Sequence, residues 1–271
     1  MPKSNKPVTM SLGGVELKTP KSQSRRMSMV LWGPSGSGKT TLAATCLRPT
    51  LWVNFDVDGT SSLMDQDDIY IADFETMTPP TVEKFKANSC AGIRDALEEN
   101  PEIKTVVFDS ITSFRDKCLL HSVSKGMKST IEQPGLQGYG MRNTFMYQAF
   151  VKVLEVTKAA GVHCIFIAHE AAPMKDEITG QLLVSMLVGG NMNTEIPTKL
   201  SEVWYLEDTG KDRRITIRSS RIRKPMKSRM FTTSGEDHFI WNFDPEQWEG
   251  DGIGEWYQQW VDNDGKKLEL P

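Results

Sequence analysis

Gly33-Pro34-Ser35-Gly36-Ser37-Gly38-Lys39-Thr40 is the stretch whose reading decides the fold. It fits G-x-x-x-x-G-K-[ST] without departure. The short apolar run Met27 to Trp32 precedes it and predicts a buried strand closed by Gly33, and a helical pattern follows from Lys39 to about Leu47. Strand, glycine-rich turn and helix in that order form a phosphate cradle. The glycines let backbone N–H groups turn inward onto phosphate oxygens, and the helix start adds the positive end of its dipole. Gly33, Pro34, Ser35, Gly36, Ser37, Gly38, Lys39, Thr40 and Thr41 are therefore the expected nucleotide-binding residues. Within them Lys39 would reach the β- and γ-phosphates and the Thr40 hydroxyl would ligate Mg²⁺.

Outward from this loop, apolar strands alternate with helical segments. Leu51–Phe55 predicts a second buried strand, Thr105–Phe108 a third ending at Asp109, and Val162–Ala168 a fourth ending at His169-Glu170. Val203–Leu206 and Arg214–Arg218 predict two later strands. Helices are expected over Val82–Asn100, Ser113 to about His121, and Met141 to Ala160 with Gly161 as its C-cap. Residues 60–80 read as loop, as do the glycine-containing stretch between the last two helices and the long Ala171–Pro197, which has room for a hairpin. The alternation predicts an α/β fold with a mostly parallel central sheet flanked by helices.

Three parts are expected: a flexible basic arm over 1–26, a core over 27–232, and an acidic, Trp-rich segment over 233–271. Residues 235–271 hold ten acids against two bases and so carry −8, which leaves +5 on the rest of a chain whose net charge is −3. Lys211 to Arg229 holds nine Lys/Arg against Asp212 alone. A basic body of this kind can meet a polyanion, and the acidic end can mask it or recruit a basic partner. Trp256 and Trp260 are four apart, so a short helix would present them on one face, packed back on the core. With 271 residues, 38% hydrophobic and 25% charged, the chain can bury a core without disulfide or metal staples. No apolar run reaches membrane-spanning length. Cys46, Cys90, Cys118 and Cys164 are far apart, which disfavours a zinc site and fits a reducing cytoplasm.

Thr105-Val106-Val107-Phe108-Asp109-Ser110 reads as a Walker B motif whose strand ends in a carboxylate, Asp109, that holds the Mg²⁺ shell with Thr40. Strand ends on one edge of a parallel sheet are where water-orienting groups converge. Asp56, Asp58 and the pair His169-Glu170 are the candidates there, with Asp58 able to polarise water and His169 able to sense the γ-phosphate. The alternating segment Arg218–Lys224 offers cations that would reach a neighbouring subunit's γ-phosphate, as an arginine finger does, or a nucleic-acid backbone.

The order of these pieces over residues 27–225 resembles the RecA-like P-loop ATPase core. Phe55-Asp56-Val57-Asp58 is similar to the strand end where that family carries its catalytic carboxylate, the position taken by Asp58. Ile165-Phe166-Ile167-Ala168-His169 resembles the strand ending in the γ-phosphate sensor, and Gly189-Gly190-Asn191 the end of the second DNA loop. A core this short resembles the phage-encoded RecA-like single-strand annealing proteins and recombinases. The resemblance implies ATP, Mg²⁺, single-stranded DNA, a homo-oligomeric filament or ring in the host cytoplasm, and a single-stranded-DNA-binding protein as a further partner. It puts DNA loops at about Ser122–Gly140 and Ala171–Asn193, with Lys128, Arg142 and Lys175 as phosphate contacts and Arg221 or Arg223 acting in trans. Two departures bear on turnover: the family's usual Glu is the shorter Asp58 here, and its usual Gln sensor is His169.

A DNA-dependent ATPase is thus the expected function. A nucleotide-gated DNA-binding module without turnover, a ring helicase motor and a P-loop small-molecule kinase are the alternatives. The kinase lacks an Arg-rich lid in this sequence, and the helicase lacks room for a loading domain.

Overall fold

The computed structural model describes residues 11–16, 25–74, 90–125, 131–175, 177, 180–220, 226–232 and 235–271. Ser11–Leu12 (β1) and Val15–Glu16 (β2) form a small antiparallel hairpin. The body is one eight-stranded sheet. Its members are Ser28–Gly33 (β3), Thr50–Asn54 (β4), Ile69–Asp73 (β5), Thr105–Asp109 (β6), His163–His169 (β7), Glu202–Asp208 (β10), Arg213–Thr216 (β11) and His238–Ile240 (β12). Met174–Lys175 (β8) and Leu182–Leu183 (β9) make a separate hairpin, as do Phe243–Asp244 (β13) and Glu249–Gly250 (β14). The sheet order is β12-β11-β10-β3-β7-β6-β4-β5, with β10 through β5 parallel and β11 and β12 antiparallel at one side.

The central strands are apolar without interruption because both faces are covered. Val30, Trp32, Val106, Phe108, Cys164 and Phe166 point to one side. There they meet Cys90–Glu99 (α2), Ile111–Lys125 (α3), Gly135–Ala159 (α4) and Met192–Thr198 (α5). Met29, Leu31, Val107, Ile165 and Ile167 point to the other side, against Lys39–Ala44 (α1) and Ile253–Asp262 (α6). This is the period-2 alternation of a strand, read on both faces at once. Among the described residues no helix is long and apolar enough to cross a membrane. Cys46, Cys118 and Cys164 are buried free thiols.

Several expectations shift. Residues 69–73, expected as loop, are the edge strand β5, whose Tyr70 and Ile71 are exposed. Four apolar residues between acids give no alternation to read, and only pairing with β4 makes them a strand. Helix α1 stops at Ala44, earlier than expected, while α3 runs on to Lys125 and α4 starts at Gly135 rather than Met141, through Gly138 and Gly140. The first expected DNA loop is therefore largely helical in its described part. Residues 192–198 are helical despite Pro197. Arg25 and Arg26, expected in a flexible arm, are docked. Arg26 Nε donates to the Val162 carbonyl at 2.5 Å, and Arg25 Nη1 donates to the Val261 carbonyl at 3.0 Å.

The acidic end completes this body. Strand β12 pairs with β11, Trp241 and Trp256 are buried, and Trp248 and Trp260 pack at the margin of the same core. Helix α6 starts on the end of α1: Ile253 N–H donates to Thr45 Oγ1 and Gly254 N–H to the Thr45 carbonyl, each at 2.9 Å. The approach needs Gly252, where a Cβ would lie 2.3 Å from Thr45 side-chain atoms. Gly252→Ala is expected to cost about 2 kcal/mol of stability through overpacking. Urea melts check it, and a loss below about 0.5 kcal/mol would contradict this docking.

His163 sits at the start of β7, where its Nδ1 accepts from the Met27 N–H at 3.1 Å. Burial, reinforced by the Arg26 charge, pushes its pKa down to about 4. The unfolded chain takes up this proton near pH 6.5 while the folded chain refuses it, so stability is lost as pH falls from about 6.5 towards 4. Lowering the pH from 7 to 4.5 is expected to cost wild type about 2 kcal/mol more than His163→Asn, measured by denaturant melts. Equal losses would contradict a neutral, buried His163.

Candidate nucleotide site

The loop between β3 and α1 has the shape its glycines allow. Gly36 and Gly38 have φ of 77° and 90°, the left-handed region that only glycine enters freely. Gly33 is required by close approach, since a Cβ there would sit 2.0 Å from the Leu206 carbonyl oxygen on β10. Lys39 is buried, and its Nζ donates to the Pro34 carbonyl at 2.5 Å and to Ser37 Oγ at 3.4 Å. Burial lowers its pKa to about 8, against the opposing pull of Asp109, Asp56 and Glu170. A buried ammonium held only by neutral oxygens fits an anionic polyphosphate.

The parallel strands end on this same edge. Gly33 of β3 is in register with His169 of β7, and Asn54 of β4 with Asp109 of β6. Thr40 Oγ1 donates to Asp109 Oδ2 at 3.3 Å. Asp109 is 2% exposed, and burial together with the neighbouring Asp56 charge raises its pKa to about 7. A hydroxyl beside a buried carboxylate of raised pKa fits a hard divalent cation. Thr40 and Asp109 are the residues that would hold Mg²⁺.

Asp56 faces the same cavity. Ser110 Oγ donates to its Oδ1 at 2.9 Å, and His169 Nε2 lies 3.3 Å from its Oδ2. Burial alone would raise the Asp56 pKa, but hydrogen bonds from His169, Ser113 and Ser110 outweigh it and hold the carboxyl below its usual range. A carboxylate only accepts, so in a hydrogen bond between the two His169 Nε2 is the donor. The cavity has a volume of about 510 Å³ and brings together Lys39, Thr40, Thr41, Asp56, Asp109 and His169, with Arg213 at its other side.

Asp58 stands elsewhere. It is exposed, has φ of 53°, and does not line this cavity. The strand ends at Asn54, whose side chain holds the turn: Asp56 N–H donates to Asn54 Oδ1 at 3.2 Å and Asn54 Nδ2 to the Asp56 carbonyl at 2.9 Å. Strand alternation therefore does not carry Asp56 and Asp58 onto one face. Glu170 accepts from Tyr205 OH at 2.6 Å and is also outside the cavity lining. Arg142 is half-buried, donates to Asn143 Oδ1 at 2.9 Å and stacks on Tyr139 at 5.0 Å, the setting of a packing residue. Lys175 is exposed on β8. Lys128, Arg221 and Arg223 lie outside the described residues. Sequence reasoning gave no site role to Ser110, Ser113 or Arg213. Ser110 carried a signal, as the residue directly after the Walker B Asp109.

A model of an AAA domain family, AAA_24, matches residues 25–240. No curated protein sequence matches the chain. Among solved structures the chain is similar to a RadB recombinase, with 12% identity and a TM-score of 0.45 over 81% of this chain and 88% of that one. It is also similar to a KaiC-like protein from the archaeon Pyrococcus horikoshii, with 18% identity and a TM-score of 0.43 over 81% of this chain and 86% of that one. The matched family spans the sheet from Arg25 through β12 and so takes in the phosphate loop, Asp56, Asp109 and His169. With its phosphate loop inside the matched span, the chain belongs to the AAA_24 family of P-loop ATPase domains.

Proposed function

We propose that this protein binds ATP with Mg²⁺, hydrolyses it, and works as a homo-oligomeric filament or ring on single-stranded DNA, promoting annealing or strand exchange. The observation that carries hydrolysis is the Asp56–His169–Ser110 hydrogen-bond set, in one cavity with Lys39 and Asp109. Lys39 and the loop N–H groups position the polyphosphate. Thr40 and Asp109 would hold Mg²⁺, whose positive charge would offset that of the polyphosphate. Asp56, ionised and oriented by two donors, is the group able to accept a proton from an attacking water. His169 orients Asp56 and has a second ring nitrogen free of that bond.

The DNA part rests on the RecA resemblance and on how His169 is tied to the β8–β9 hairpin. The Leu187 N–H donates to the His169 carbonyl and the Ala171 N–H to the Ser185 carbonyl, each at 2.8 Å. A displacement of His169 by nucleotide would pass along these bonds to a hairpin carrying exposed Met174, Lys175 and Leu182. A single-stranded-DNA-binding protein is the further partner this reading implies. A second reading, a nucleotide-gated module without turnover, is favoured by one observation. Both Asp56 oxygens already accept a hydrogen bond, and the side chain is shorter than the family's usual Glu.

Phosphate release from ATP, with and without single-stranded DNA, tests the proposal in wild type and Lys39→Ala. DNA-stimulated release, reduced on the order of 10²-fold or more in Lys39→Ala, is expected. Nucleotide-dependent DNA binding without release would favour the gated module. Indifference to DNA in both assays would contradict a DNA-dependent ATPase.

A further inference from the structure

The water-side groups of the cavity all come from one flank of the phosphate loop. His169, Asp109 and Asp56 follow β7, β6 and β4, the neighbours of β3 in one direction. Arg213 comes from the other flank, on β11 beyond β10, and lines the same cavity. Its Nε lies 3.5 Å from where a Cβ on Gly38 would be, so the guanidinium rests against the last glycine of the loop.

Arg213 is built into this position. The Trp241 N–H donates to the Arg213 carbonyl at 2.8 Å, which makes the two residues cross-strand neighbours, and the guanidinium lies 5.8 Å from the Trp241 ring centre. Trp241 is fixed in turn: its Nε1 donates to the Asp251 carbonyl at 3.0 Å, and Phe243 stacks on it at 5.2 Å. Asp208 Oδ2 is 4.0 Å from Arg213 Nε, too far for a hydrogen bond, so the donors of the fork are not consumed by that partner.

We propose that Arg213, seated on Trp241, contacts the α-phosphate of the bound nucleotide in cis. This rests on the nucleotide reading above. With the γ-phosphate at Asp56, Asp109 and His169, a polyphosphate laid along the loop must run towards Gly38 and Arg213. A guanidinium fork there matches phosphate oxygens in charge and geometry. The acidic, Trp-rich end thereby becomes part of the nucleotide site, since it supplies the ring that holds the fork.

Calorimetric titration with Mg-ADP and Mg-GDP tests this on wild type, Arg213→Lys and Arg213→Ala, with melting curves to confirm folding. Arg213→Ala is expected to weaken both ligands at least tenfold and by the same factor, with Arg213→Lys between it and wild type, because a phosphate contact ignores the base. Affinities within twofold of wild type for Arg213→Ala would overturn the proposal. Loss for one base only would overturn the phosphate contact in favour of base reading. If wild type bound neither ligand, the nucleotide reading would fail first and this proposal with it.

Discussion

Because β7 runs between β3 and β6, the phosphate loop and the Asp109 strand stand two strand spacings apart, about 10 Å. His169, at the end of the intervening strand and in register with Gly33, fills that gap. Thr40 crosses it from the start of α1 to reach Asp109. Every other feature of the site follows from this spacing. The cavity is wide enough for a polyphosphate, and the two carboxylates stand on the far side of it from the loop's own glycines. His169, which lies between the loop and the Asp109 strand, also contacts Asp56.

The electrostatics have the same logic. Lys39 is pushed down to about 8 and Asp109 up to about 7, each away from its ordinary charged state, while Asp56 is held below its usual range. Two neighbouring carboxylates with opposite shifts have different tasks. Asp109, beside a hydroxyl and poor in donors, suits a cation. Asp56, fed by Ser110 and His169, stays ionised without one. The buried charges of Lys39 and Asp109 are those that a polyphosphate and a divalent cation would satisfy.

Much of this was legible in the sequence. The glycines at 33, 36 and 38 specify backbone geometry that few other residues tolerate, so the loop reads directly from its residue types. The apolar runs of β3, β6 and β7 read equally well, because burial on both faces leaves an unbroken pattern. Which of Asp56 and Asp58 lines the cavity was not legible. It depends on Asn54 ending the strand and bonding the turn, an event one residue wide that no periodicity records. Arg213 was hidden for a related reason. In a run of nine cations only the β11–β12 pairing says which one faces the loop. The packing of the acidic end on the core was legible from Trp256 and Trp260, four apart, while its charge pattern describes only its outer surface.

The most direct test of the account is single-turnover phosphate release at saturating Mg-ATP for Asp56→Asn beside Asp58→Asn. Asp56→Asn is expected to retain nucleotide binding and lose release on the order of 10²-fold or more, while Asp58→Asn stays within about twofold of wild type. A large loss in Asp58→Asn with Asp56→Asn near wild type would contradict it.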